Sequence, residues 1–91
     1  MFYMYILKNK HGKLYIGYSS DLAKRLKEHN SGFVKSTKPY MPYQCVYYEA
    51  YRSKHDAVIR EHNLKLRARA LRQLLLRIED SIGVTAKARL V

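Results

Sequence analysis

The chain has 91 residues, 47% hydrophobic and 27% charged, which allows one modest core and leaves no room for a second domain. Lys and Arg number 18 against 7 Asp and Glu, and the resulting formal charge of +11 argues for a polyanionic partner, nucleic acid first. No apolar stretch approaches the ~18–20 residues that cross a bilayer, the apolar start lacks a basic leader, and the lone Cys45 excludes an intrachain disulfide or thiolate metal cluster. A cytoplasmic protein away from the membrane is therefore expected.

Two short apolar runs, Phe2 to Lys8 and Lys13 to Tyr18, flank Asn9-Lys10-His11-Gly12 and predict a β-hairpin. A three-residue loop with Gly12 in the left-handed region would set Tyr5 opposite Tyr15 and put Met4, Ile6, Leu14 and Ile16 on the other face. Asp21 to His29 then reads as a helix, capped by Ser19 or Ser20 with Asp21 in its first turn. At about 100° per residue, Arg25 and His29 fall on the inward stripe with Leu22 and Leu26, while Lys24, Lys27 and Glu28 fall on the solvent side. Asn30 to Pro42 is a polar loop, expected to be mobile without a ligand, with Lys35 and Lys38 available for phosphates. Pro42 marks where a third strand can begin, and Tyr43 to Tyr51 shows partial alternation. Cys45 within it reads as a buried small hydrophobe before a nucleophile.

Ser53-Lys54-His55-Asp56 is close to a capping box and opens a second helix from about Lys54 to Arg67. Glu61 lies in the middle of that helix's apolar face. A buried carboxylate needs a cation, either an arginine in a structural ion pair or a divalent metal. A last helix from about Ala70 to Asp80 carries Leu71, Leu74, Leu75 and Ile78 at core spacing. Arg60, Lys65, Arg67, Arg69, Arg72 and Arg77 form a basic flank, and Arg60 and Lys65 join Lys35 and Lys38 as candidate nucleic-acid contacts. The expected fold is α+β, a three-stranded antiparallel sheet flanked by about three helices in the order β-β-α-β-α-α. It occupies residues 2–78, with 79–91 as a loosely held tail.

Tyr5, Tyr15, Arg25, His29 and Glu61 come from four elements and together meet the needs of phosphodiester hydrolysis: a cation for developing charge, a base for water, and an acid for the leaving oxygen. A single glutamate suits Mg²⁺ (or Mn²⁺), which keeps most of its waters, and Arg25 can grip a nonbridging oxygen through its planar fork. A phenol of pKa near 10 is ionised only about one part in a thousand at pH 7, so either tyrosine must be acidified or act by hydrogen bonding to the water.

Tyr3-Met4-Tyr5, Tyr15-Ile16-Gly17, Arg25 ten positions after Tyr15, His29, and Glu61 within Arg60-Glu61-His62-Asn63-Leu64-Lys65 resemble the GIY-YIG nuclease domain. The resemblance spans about Phe2 to Ile78 and is strongest to small single-domain bacterial members; it extends to the incision domain of the nucleotide-excision repair nuclease. It implies metal-dependent cleavage of DNA, with Glu61 as metal ligand, Arg25 as phosphate clamp and Tyr5 or Tyr15 near the attacking water. Tyr3 and Met4 replace the Gly and Ile of the first motif, Tyr18 stands where repair-type members often carry lysine, and no Asn follows Asn63. The expected function is an endonuclease acting on branched or damaged DNA; the alternative is a noncatalytic nucleic-acid-binding module retaining the fold.

Overall fold

The computed structural model describes residues 1–83 and the backbone of 89–90. Strands β1 (Phe2–Asn9), β2 (Lys13–Ser19) and β3 (Tyr43–Tyr51) form an antiparallel sheet with β1 in the centre. The expected three-stranded α+β fold is thus present. Two residues, β4 (Arg89–Leu90), add to it in parallel beside Lys13 and Leu14 of β2. No helix among the described residues is long and apolar enough to cross a membrane.

The hairpin turn follows from Asn9 and Gly12. Gly12 sits at φ 82° and its N–H donates to the Asn9 carbonyl at 3.1 Å, while the buried Asn9 Oδ1 accepts from the backbone N–H groups of His11 and Lys13 at 3.0 and 2.9 Å. The resulting register differs from the expected one by two residues. Tyr5 pairs with Gly17 and Tyr15 pairs with Leu7, so the two phenols share a face diagonally instead of facing each other. Sequence alternation fixes the face, whereas the offset along it is set by the turn.

Helix α1 (Leu22–Asn30) is capped by Asp21, whose side chain accepts from the Lys24 N–H at 3.1 Å, so the cap lies one or two residues later than Ser19 or Ser20. Ser53 caps α2 (Lys54–Leu66) as expected, by accepting from the Asp56 N–H. Extended Arg67 ends α2 and opens α3 (Ala68–Arg77), so the last long helix begins and ends earlier than its leucine spacing suggested. A four-residue turn of helix, α4 (Glu79–Ile82), follows and buries Ile82 in the core, so the loose tail expected from this point does not include it. Residues 84–88 and 91 of that tail lie outside the described residues.

Both faces of the sheet are covered. Met4, Ile6, Leu14 and Ile16 pack with Leu64, Leu74 and Ile82 on one face, joined by partly buried Leu71, Leu75 and Ile78. Tyr5, Leu7 and Tyr43 pack with Tyr15, Leu22, Leu26 and Cys45 on the other. Burial pushes the Cys45 thiol above its ordinary pKa, in keeping with a packing role. The partial alternation of β3 has a local cause: the register shifts between Ile6 and Leu7, which pair with Tyr47 and Cys45 and leave Val46 as an extra residue. This bulge sends Tyr43 and Cys45 to the face of Leu7, and Tyr47, Glu49 and Tyr51 to the face of Met4 and Ile6.

Candidate active site

A cleft of about 640 Å³ opens between α1, α2 and the hairpin, lined by Tyr5, Tyr15, Gly17, Arg25, Glu28 and Glu61, with Phe2, Tyr18, Lys24 and Lys54 at its walls. Four of the five sequence-chosen groups line it directly. The fifth, His29, is wholly buried beneath it.

Tyr5 Oη lies 2.8 Å from His29 Nε2, and His29 Nδ1 lies 2.8 Å from Thr37 Oγ1. The Tyr15 ring closes over the imidazole with centroids 4.7 Å apart, and the two phenol rings are 6.2 Å apart. Burial raises the Tyr5 pKa to about 12, against an opposing pull from the Arg25 guanidinium beside it. Burial also pushes His29 down to about 4, and the Arg25 charge adds to this. The pair is therefore a neutral phenol against a neutral imidazole at physiological pH. Because His29 is depressed from 6.5, its unfolded form takes the proton first; its contribution to stability is complete above about pH 6.5 and is lost as pH falls toward 4. The His29 ring resonances are expected to stay flat from neutral pH down to about pH 5 in an NMR titration. A midpoint near 6.5 would contradict the burial of this ring.

Arg25 reaches the cleft wall from α1, where its Nη1 donates to Glu28 Oε1 at 3.2 Å. Both side chains are 35% exposed, so the pair contributes about 0–1 kcal/mol and is readily exchanged for another anion. Glu28 thus turns toward the cleft, not to the solvent side that the helical wheel assigned. Its link to Arg25 across one turn explains the difference.

Glu61 is 6% exposed. Its Oε2 is 3.0 Å from Lys65 Nζ, so the cation that the buried carboxylate required is a lysine one turn later and not an arginine. Lys65 Nζ also lies 5.2 Å above the Tyr15 ring. Glu61 Oε1 is buried without a hydrogen-bond partner among the described residues; His62 Nε2 is 3.5 Å away but not in hydrogen-bonding geometry. Among the described residues no group of three or more His, Cys, Asp or Glu gathers here. One neutralised carboxylate with a free, inward oxygen fits Mg²⁺, which accepts a single carboxylate and keeps its waters, better than a metal needing a full protein cage.

The other sequence-chosen cations divide. Lys65 is at the site. Lys35 and Lys38 are exposed on the loop between α1 and β3 and do not line the cleft. Arg60 does not reach it either: Nε and Nη2 donate to Glu49 Oε1 and Oε2 at 2.9 and 3.2 Å, a bidentate pair on the β3 side of α2. Tyr47 donates to the same carboxylate at 2.7 Å, as does Tyr51. Burial works to raise the Glu49 pKa, but the hydrogen bonds from Arg60 and the two tyrosines outweigh it and hold it low. Arg60→Ala is expected to cost about 1–3 kcal/mol of stability by leaving this acceptor without its cation. Denaturant titration should show that difference shrinking as pH falls through and below the ordinary carboxylate range, because a depressed carboxylate stabilises only while ionised.

Sequence reasoning missed Lys24 and Lys54, which stand at the cleft where Lys35 and Lys38 do not. Gly17 was visible only as a motif letter, although a glycine inside a strand is itself a sign of close approach. A Cβ there would lie 2.6 Å from Tyr5 Oη and 2.9 Å from Tyr15 Cε2. Thr37 left no signal beyond its place in a polar loop.

Residues 1–74 match the family described as the GIY-YIG catalytic domain. A UPF0213 protein of Staphylococcus saprophyticus is 45% identical over 64 residues, covering 69% of this chain and 78% of the relative. One of Pediococcus pentosaceus is 36% identical over 85 residues, covering 92% and 88%. The solution NMR structure of a UPF0213 protein from Bacillus halodurans is 30% identical, with a TM-score of 0.54 over 97% of this chain and 99% of that one. Matched along most of its length by the domain family and by small relatives of similar size, this chain belongs to the GIY-YIG family, among its UPF0213 members.

Proposed function

We propose that the protein is a divalent-metal-dependent endonuclease that hydrolyses DNA phosphodiesters in the cleft between α1 and α2. The observation that carries this reading is the convergence there of a phenol hydrogen-bonded to a neutral imidazole, a guanidinium, and a buried carboxylate with one free oxygen. Glu61 would hold Mg²⁺ or Mn²⁺, which when bound supplies positive charge to the phosphate oxygens that gain charge in the reaction.

The chain's own groups do the rest. Arg25 exchanges its weak contact with Glu28 for the phosphate, to whose two nonbridging oxygens it can present two parallel donors. Tyr5, with a pKa of about 12, is not a free phenolate near neutrality, so it cannot simply remove a proton from water. It can receive that proton while passing its own to His29 Nε2, 2.8 Å away. The negative charge arriving with the phosphate favours the imidazolium that results. Between the two phenols this selects Tyr5 for the water, because it is the one hydrogen-bonded to an acceptor. Tyr15 packs over the same imidazole and fixes its plane.

Phe2 and Tyr18 favour a substrate with an unstacked base near the scissile phosphate. Tyr18 is 39% exposed on the wall of the cleft that Lys54 also lines, and an exposed aromatic there can stack a base that a paired duplex would not release. This supports action on flaps, junctions or damaged DNA, as in repair or recombination. The test is incubation of the purified protein with labelled duplex, flap and junction DNA with and without Mg²⁺. Cleavage should require the metal and favour the branched substrates, and Tyr18→Ala should erase that preference while Tyr18→Phe keeps it. Salt-sensitive binding with no product under any divalent ion would instead establish the noncatalytic binding module.

A further inference from the structure

We infer that Thr37 is a positioning residue, whose buried hydroxyl holds His29 in the tautomer with the proton on Nδ1 and so leaves Nε2 as the acceptor for the Tyr5 phenol. Thr37 lies in the loop between α1 and β3, eight residues after His29, and is 0% exposed, as is His29 itself. Its hydroxyl touches His29 Nδ1 at 2.8 Å and the Val34 carbonyl at 3.3 Å. The loop was expected to be mobile from its polar composition. In the structure the Thr37 and Lys38 N–H groups close a turn on the Val34 carbonyl at 3.2 and 3.0 Å, and Asn30 and Asn9 bond the Tyr43 and Tyr40 carbonyls at its far end.

The direction of the chain follows from counting donors. A neutral Tyr5 phenol has one proton, and the charged group beside it, Arg25, can only donate. His29 Nε2 is therefore the acceptor for that proton, which places the ring proton on Nδ1. Nδ1–H then needs an acceptor in a site that excludes water, and Thr37 Oγ1 is the group within reach. The threonine proton goes in turn to the Val34 carbonyl. The protons point one way from the cleft inward: Tyr5 donates to His29, His29 to Thr37, and Thr37 to the Val34 carbonyl, which only accepts. With the opposite tautomer the phenol proton would have no acceptor among these groups. Thr37 acts through His29 and touches nothing in the cleft.

The consequence for turnover rests on the nuclease reading, but the tautomer does not, and the two can be measured apart. In ¹⁵N-labelled protein without metal or DNA, correlations from the ring carbons of His29 should show a protonated Nδ1 and an unprotonated Nε2. Thr37→Ser should keep that pattern. Thr37→Val, which matches the shape without the hydroxyl, should shift His29 toward the Nε2–H form and lower DNA cleavage about 10–100-fold, by analogy with the loss seen when the hydrogen-bond partner that orients a metal-bound histidine is removed. An Nε2–H tautomer in the wild-type or serine protein would overturn the inference, as would an unchanged wild-type pattern in a folded Thr37→Val. If Thr37→Val does not fold, the wild-type and serine spectra still decide the assignment. A protein that shows the Nδ1–H lock but cuts no DNA would remove the nuclease reading and leave the role of Thr37 in orienting His29 standing.

Discussion

Glu61→Gln is expected to yield a folded protein that binds DNA and cuts it at least about 10²–10³-fold more slowly. Glutamine keeps the shape of the side chain but removes the charge that would hold a divalent cation. The loss to stability should be under about 1 kcal/mol, because Lys65 is 38% exposed and water can replace its partner. Removing a negative charge from a cleft already lined by Arg25, Lys24 and Lys54 should leave DNA affinity unchanged or slightly stronger. Thermal denaturation separates this from a folding defect. A ligand that binds only the native state raises the melting temperature as its concentration grows, so the wild type should be stabilised by millimolar Mg²⁺ and the variant should not. Equal cleavage by the two proteins would end the assignment of Glu61 as metal ligand.

Gly17→Ala is expected to disable the site through Tyr5, without removing any functional group. The added Cβ would stand 2.6 Å from Tyr5 Oη, 2.7 Å from Cζ and 2.9 Å from Tyr15 Cε2, distances that no van der Waals contact tolerates. Tyr5 is 1% exposed and bonded to His29, so its ring has nowhere to retreat without breaking that bond. Overpacking of this kind costs about 1–3 kcal/mol. A displacement near 1 Å at a reacting group can cost about a hundredfold in rate. Cleavage should therefore fall about a hundredfold or more in a protein that still unfolds cooperatively, with a melting temperature lower by about 4–24 °C, the shift that such a cost produces in a domain of this size. Loss of the His29–Tyr5 coupling in NMR spectra should accompany the fall, and wild-type cleavage by Gly17→Ala would show that the phenol does not need its present position.

Much of the fold was legible because periodicity reports burial. Alternation in Phe2 to Tyr18 identified the face of Met4, Ile6, Leu14 and Ile16, and the helical wheel of α1 placed Arg25 and His29 inward. Composition could not report where one element stops relative to another. The diagonal offset of Tyr5 and Tyr15 depends on the turn at Asn9 to Gly12, and the two faces of β3 depend on a bulge at Val46 that no local preference announces. Charged residues were the least legible of all. Arg60 and Lys65 are five residues apart on one helix, yet one is bound to Glu49 on β3 and the other to Glu61 at the cleft. Which acid a flexible cation meets is decided by packing between elements, not by spacing along one.

By itself, then, the sequence determined the set of chemical groups and the faces that carry them: two phenols, Arg25, His29 and Glu61 on inward sides of a basic α+β domain. Those assignments rest on side-chain period and charge, which are local properties of the chain. Only the tertiary structure decided which phenol meets the imidazole, that Thr37 closes on its far side, and that one oxygen of Glu61 is left free. These depend on contacts between residues far apart in the chain, where a shift of two positions in register changes the partner without changing the face.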